Sequence, residues 1–168
     1  VYAVIAREIR TRGGHLVLSP VIDVCRDPRW GRVEETYGED PYLNSVLSVA
    51  AVKGFQGSST GKVVPGHVAA TLKHFVGHGQ PDGGQNTAPA NYGLRTLFDY
   101  HMPPFIECIK KSKPMNLMPS YNEVDGVPSH ANKWLLQDVL RKKWGYKGMV
   151  VSDYYGVCLL YTSPSPRD

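Results

Sequence analysis

Cysteine is scarce in this chain of 168 residues, with three in all. Cys25, Cys108 and Cys158 are far apart and odd in number, so they fit neither a zinc knuckle nor a closed disulfide framework, and we expect free thiols. Long apolar runs are absent too, since none approaches the roughly 20 residues that a membrane span needs. The first residues lack a cationic segment followed by an apolar core, so we expect neither a membrane span nor an export signal within the chain. Internal repeats are missing as well. Charge of one sign is not in excess: 19 basic against 15 acidic residues leave a net +4. The surplus sits in Lys110-Lys111-Ser112-Lys113 and Arg141-Lys142-Lys143, near expected helix ends where the helix dipole favours cations. No aromatic or Gly-rich recognition pattern accompanies these clusters, which argues against a nucleic-acid partner. What is left, 42% hydrophobic and 20% charged residues, is the composition of a folded domain.

The periodicities alternate between helix and strand. Val1 to Arg12 has helical spacing and stops at Gly13-Gly14; His15 to Val24 is a β-rich run. Pro41 opens a helix ending at Gly54. Val68 to Val76 reads as a second strand and leads into a loop from Gly77 to Ala90, rich in Gly, Pro and Asn. A helix from about Tyr92 to Lys111 is expected to kink or split at Pro103-Pro104. Met115 to Tyr121 is a third strand, Lys133 to Trp144 a helix, and Met149 to Asp153 a fourth strand. Strands separated by crossover helices imply a parallel sheet, hence an α/β class. Pattern alone leaves an open sheet and a (β/α)8 barrel both possible. Four strands in about 140 residues is the pace of a barrel that typically needs about 250, of which this chain would hold half. It opens inside a helix and its last clear element is a strand with no helix after it. The tail 158–168, Ser- and Pro-rich, reads as a terminus foreign to the βα pattern, of the kind that non-native sequence gives, so the domain is expected over 1–157.

Polar residues collect where these strands end. The first runs into Arg26-Asp27-Pro28-Arg29-Trp30-Gly31-Arg32, the second ends in Lys73-His74 and continues to His78. The third ends in Tyr121-Asn122-Glu123, and the apolar run Val150-Val151 stops at Ser152-Asp153. In a parallel barrel these endings share one rim, so cations, an imidazole, a phenol and a carboxylate would converge. Such a set suits a hydroxyl-rich ligand: Arg, Lys and His donate to sugar oxygens, Tyr and Trp offer an apolar ring face, and a carboxylate can attack an electron-poor anomeric carbon. Plainer roles compete. Asp153 could cap the following turn. Arg26, Asp27 and Glu35 could form an ion-pair network bracing their loop, which we favour over direct sugar contact there, whereas Arg32 leans towards the ligand. Trp30 is the one tryptophan placed to serve as a sugar platform; Trp134 and Trp144 read as packing residues. His74, His78 and Asp82 could suggest a metal, but they span a Gly-rich loop instead of one helix face, and we expect no metal and no cofactor.

Four segments also carry a family resemblance: Arg26 to Pro41 (RDPRWGRVEETYGEDP), Lys73 to Gly79 (KHFVGHG), Ser120 to Pro128 (SYNEVDGVP) and Gly148 to Tyr154 (GMVVSDY). In this order they resemble the N-terminal barrel domain of glycoside hydrolase family 3, most closely its bacterial β-glucosidases, from Val1 to Val157. The resemblance implies a partial (β/α)8 TIM-like barrel and a β-glycosidase that removes terminal non-reducing β-linked sugars with retention, through a covalent glycosyl-enzyme intermediate. It implies Asp153 as the nucleophile, Lys73, His74 and Arg32 as ligands of sugar hydroxyls, and Tyr121 as a tyrosine close to the nucleophile. An upstream aspartate that binds the sugar and the acid/base glutamate have no counterpart here; the latter is expected from a C-terminal domain of the parent enzyme. Where many relatives place an arginine, this chain has Gln85. The glycoside itself stays open among glucose, xylose and N-acetylglucosamine, and a periplasmic or secreted parent is expected. The alternative is an incomplete, inert carbohydrate-binding fragment.

Overall fold

The structure, a computed structural model, describes residues 1–157 and Leu160. Apart from Leu160, the tail 158–168, on which the expectation of a foreign terminus rests, lies outside the described residues. The chain begins with α1 (Tyr2–Thr11), which ends where the Gly13 and Gly14 N–H groups bond to Arg10 and Ile9 carbonyls. The short β1 (Leu16–Val17) follows. The β-rich run to Val24 stays extended but is only partly a strand. Pro20 has no N–H to donate, so regular pairing stops and resumes as a single parallel bridge between Val21 and Lys73. Helix α2 (Pro41–Gln56) has a complete set of end signals: the Asp40 carboxylate accepts from the Tyr42 N–H at 2.8 Å, Pro41 occupies the first turn, and Gly57 closes the helix at φ 72°.

Strand β2 (Ala69–Phe75) is the longest strand and is buried along most of its length. After the loop 77–90, α3 (Leu94–Thr96) runs into a π-wound turn, Leu97–His101, and then into α4 (Pro103–Lys111). The expected split thus falls at Met102, because Pro103 and Pro104 cannot donate to the preceding turn. Strand β3 (Asn116–Pro119) is wholly buried. It is followed by a hairpin that the strand periodicity did not suggest, β4 (Glu123–Val124) against β5 (Val127–Pro128). Its two-residue turn, Asp125-Gly126, has both φ angles positive, at 50° and 74°, the arrangement that an Asp-Gly pair favours in hairpins. A π-wound helix, α5 (Trp134–Lys143), leads to β6 (Met149–Val150).

β1, β2, β3 and β6 form one sheet in that order, all parallel. Each new strand joins on the same side of the last. A doubly wound sheet would reverse its order at a switch point, whereas steady growth in one direction is how a barrel is laid down. The core on which the helices pack is built from Leu72, Phe75, Leu117, Phe55, Phe105, Leu135 and Leu140, with Phe75 edge-on to both Phe105 and Trp144. Among the described residues no helix is long and apolar enough to cross a membrane.

Candidate active site

The carboxyl ends of the strands place the polar residues. Lys73 and His74 are near the end of β2, and Asp153 lies three residues beyond β6, after Val151 extends the ladder by donating to the Leu117 carbonyl at 2.9 Å. The peptide bonds Lys73–His74 and Phe75–Val76 are cis. His78 is fixed by its flanking glycines. Gly79 packs against the Val24 carbonyl so closely that a Cβ would lie 2.4 Å from it, and its own carbonyl accepts the Arg26 N–H at 2.9 Å. The loop after β2 is thereby joined to the loop after β1, which carries Arg32.

At the centre stands His74, with a side chain 1% exposed. Its Nδ1 lies 2.7 Å from Asp23 Oδ2, and its backbone N–H donates to both Asp23 oxygens at 3.3 and 3.2 Å. Nε2 faces Arg32 Nη2 at 3.3 Å and Asp153 Oδ2 at 3.7 Å. Arg32 also reaches His78 Nε2 through Nη1 at 3.4 Å. Its Nε and Nη2 grip Glu35 at 2.7 Å each. The two imidazoles pack edge to face at 4.8 Å, and Trp30 meets His78 at 4.9 Å.

Asp153 is held by its own backbone as well as its side chain. Its N–H donates to His130 Nε2 at 3.1 Å, and Oδ1 accepts from the Tyr154 N–H at 2.7 Å. Oδ2 is buried and, among the described residues, has no hydrogen-bond partner. The side chain as a whole is 13% exposed. Leaving such an oxygen unpaired costs about 1–3 kcal/mol, so it asks for an explanation. Tyr121 donates its hydroxyl to the Tyr154 carbonyl.

The electrostatics follow from burial and from these neighbours. Burial alone would raise the Asp23 carboxyl, but His74 and His78 outweigh it and hold it below the usual aspartate range. Burial pushes the His78 imidazole down to about 4, so it is neutral at pH 7. The Lys73 ammonium lies below the ordinary lysine value through burial, then through Arg32, with Asp153 opposing both. Burial and then the Asp153 carboxylate push the Tyr121 phenol up to about 12, which makes it a donor throughout the neutral range. Among the described residues no ion pair occupies Lys73.

The structure brings Asp153, His74 and Arg32 into direct proximity, with Lys73 and Tyr121 on the same rim. Several expectations are corrected. Glu35 pairs with Arg32 and not with Arg26, whose guanidinium stacks on the Tyr100 ring at 4.1 Å, while Asp27 pairs with Arg29 at 2.6 Å. The Arg26–Asp27–Glu35 network therefore does not form. Trp30 is 1% exposed, its indole N–H donating to Asn86 Oδ1, so it packs beneath the rim and presents no ring face. Asp82 is separated from the imidazoles in its bonding, accepting from Asn91 Nδ2 at 2.6 Å, and no group of three metal-ligating side chains occurs among the described residues. Two site residues were overlooked. Asp23 had a signal, a lone carboxylate inside the apolar run Val21-Ile22-Asp23-Val24. His130 had none beyond its place after the hairpin. An apolar groove of about 580 Å³ lies apart from these residues, between α2 and α4, and its charged lining pair Lys111 and Glu107 is self-satisfied at 2.6 Å.

A parallel α/β sheet whose carboxyl-terminal rim gathers a free carboxylate oxygen, two imidazoles, a guanidinium and an ammonium defines a barrel-type α/β protein with a carboxylate-centred polar site. The chain belongs to glycosyl hydrolase family 3: residues 1–167 match the N terminal domain of that family. It is 42% identical to a beta-xylosidase of Formosa agariphila over 94% of its own length and 22% of that protein. To a periplasmic beta-glucosidase of Salmonella typhimurium it is 36% identical, over 97% of this chain and 21% of that one. Among solved structures, a β-glucosidase from Erythrobacter marinus superposes with a TM-score of 0.94 at 44% identity, covering 97% of this chain and 22% of that one. The chain thus spans about a fifth of the length of the relatives it matches.

Proposed function

We propose that this chain supplies the nucleophile half of a retaining β-glycosidase site acting on terminal β-linked glucose or xylose. The observation that carries the reading is Asp153 Oδ2, a buried carboxylate oxygen left without a partner beside His74 and Arg32 on the strand-end rim. Asp153 attacks the anomeric carbon, forming a glycosyl ester as the leaving oxygen is protonated, and water then cleaves the ester with the configuration retained. Lys73 and Arg32 donate to sugar hydroxyls, His74 lines the same wall, and Tyr121 holds the Tyr154 turn beside the nucleophile. Retention needs a second carboxyl group about 5–5.5 Å from the first. Asp23 is engaged by His74 and Glu35 by Arg32, so the acid belongs to another part of the enzyme that carries this chain. The family and the glucosidase and xylosidase names of its relatives support this substrate class.

The test is labelling of that enzyme by a 2-deoxy-2-fluoro-β-glycoside with an activated leaving group. Mass spectrometry of the digested protein should find the sugar on the peptide that contains Asp153. Attachment to any other carboxylate would remove Asp153 from the reaction. Parallel assays with aryl β-glucoside and aryl β-xyloside decide between the two sugars.

A further inference from the structure

Resting on the glycosidase reading, we propose that Asp23 is a positioning residue that locks His74 in its Nδ1–H form, keeping Nε2 an acceptor and Asp153 Oδ2 unengaged. The argument starts from donors and acceptors. An ionised carboxylate only accepts, and the Asp23 carboxyl lies below the usual aspartate range, both of its oxygens taking the His74 backbone N–H. Its contact with His74 Nδ1 at 2.7 Å therefore requires a proton on Nδ1. The same carboxylate also takes the His74 backbone N–H. One side chain thus fixes both the ring's proton and its orientation. In neutral imidazole the other nitrogen, Nε2, must then accept.

Nε2 has two neighbours with opposite demands. Arg32 Nη2, 3.3 Å away, can only donate; Asp153 Oδ2, 3.7 Å away, can only accept. The Nδ1–H form satisfies the first and turns no donor towards the second, whose Oδ2 has no hydrogen-bond partner among the described residues. The Nε2–H form would set two donors against each other at the guanidinium and aim an N–H at Asp153 Oδ2, drawing density from the oxygen that must attack carbon. His78 provides the internal contrast. It too faces Arg32 through Nε2, but its Nδ1 has no partner among the described residues, so no carboxylate enforces its tautomer. The order Asp23, His74, Arg32, Glu35 sets a carboxylate, an imidazole, a guanidinium and a second carboxylate in one line of contacts, and holds the guanidinium in register with the sugar-binding wall.

Asp23→Asn discriminates this from a merely structural role, because the amide keeps the size of the side chain while its NH2 can donate to Nδ1 and move the ring proton to Nε2. Two measurements are made. In 15N-histidine-labelled protein, imidazole 15N shifts at pH 7, assigned by comparison with His74→Gln, should report Nδ1–H for wild-type His74 and Nε2–H for Asp23→Asn. In the enzyme that carries this chain, Asp23→Asn should lower kcat by roughly tenfold to a hundredfold on an aryl β-glycoside, with KM moved much less. Nε2–H or an imidazolium in the wild type, or unchanged kcat in the variant, would overturn the assignment. Should Asp23→Asn fail to fold, the wild-type tautomer alone decides. The tautomer measurement needs no turnover, so a wild-type enzyme inert towards every aryl β-glycoside would sink the glycosidase reading while the Nδ1–H result still stood or fell separately.

Discussion

At the scale of single residues, Asp153 divides its carboxylate between two tasks. Oδ1 accepts the Tyr154 N–H and the backbone carbonyl accepts that of Gly156, which is the capping role that any aspartate at a strand end can play. Oδ2 takes no part in this and points towards His74. Asp153→Asn keeps the cap but replaces the attacking oxygen's charge. In the enzyme that carries this chain it should lower turnover on an activated aryl glycoside about a thousandfold or more, several kcal/mol of barrier, while sugar binding by calorimetry is largely kept. Lys73→Ala should act otherwise. Losing a charged donor to substrate hydroxyls should weaken ground-state and transition-state binding alike, by about 1.5–3 kcal/mol, and so raise KM more than it lowers kcat. Near wild-type turnover in Asp153→Asn would leave that residue with its cap alone. Asp153, Lys73 and His74 could be found in the sequence because each closes an apolar run, where chain direction dictates which rim it reaches. Asp23 could not be valued the same way: its importance lies in a ring 51 positions away, a distance that only the β1–β2 pairing spans. Trp30 misled for the opposite reason, since a loop position suggested exposure while Asn86 and His78 bury it.

At the scale of elements, helices and the order of strands were legible and strand lengths were not. Helix limits come from local chemistry such as the Asp40 cap, Pro41 and Gly57, all visible in sequence. Strand limits come from pairing partners, so the apolar run to Val24 shortens to Leu16–Val17 once Pro20 interrupts the ladder. The β4–β5 hairpin is the element that most affects the site. Ser120 Oγ donates to Ser129 Oγ at 3.1 Å and Ser129 Oγ to the Asn122 carbonyl at 2.7 Å, tying the hairpin's end to β3. His130 follows directly and holds the Asp153 N–H. Gly126→Ala places a Cβ at φ 74°, which costs about 1–2 kcal/mol, and it should loosen His130. Gly57→Ala, at φ 72° and at the end of α2, should destabilise at least as much because its Cβ would meet the His67 ring at 2.9 Å. With both variants assayed well below their melting temperatures, only Gly126→Ala should slow fluorosugar labelling of Asp153. Equal labelling rates would show that the hairpin does not position the nucleophile.

At the scale of the whole molecule, the burial that builds the site also sets how the fold answers acid. His78 and His101 are each pushed down to about 4 by burial. His101 packs against Tyr92 at 4.8 Å and bonds to Gln80 Oε1 at 3.1 Å, away from the catalytic rim. In the unfolded chain both imidazoles return to the ordinary value near 6.5. Between pH 6.5 and about 4 the unfolded state therefore binds more protons than the folded one, and stability must rise with pH across that window. Their contribution is fully present above pH 6.5 and is lost progressively as pH falls towards 4. The gap from 6.5 to about 4, at about 1.4 kcal/mol per pH unit, makes this on the order of 3 kcal/mol for each histidine. Asp23 works in a different window: its carboxyl is held below 3.8, so its contribution is lost only at lower pH. Urea unfolding of the chain at intervals from pH 7 to pH 4.5 should show stability falling steadily below pH 6.5. His101→Gln should flatten that slope, whatever its effect on stability at pH 7, because the variant has one fewer buried imidazole to protonate. An unchanged slope in His101→Gln would mean that His101 is already charged in the fold, and its packing on Tyr92 would then have to be read as a cation held against a ring.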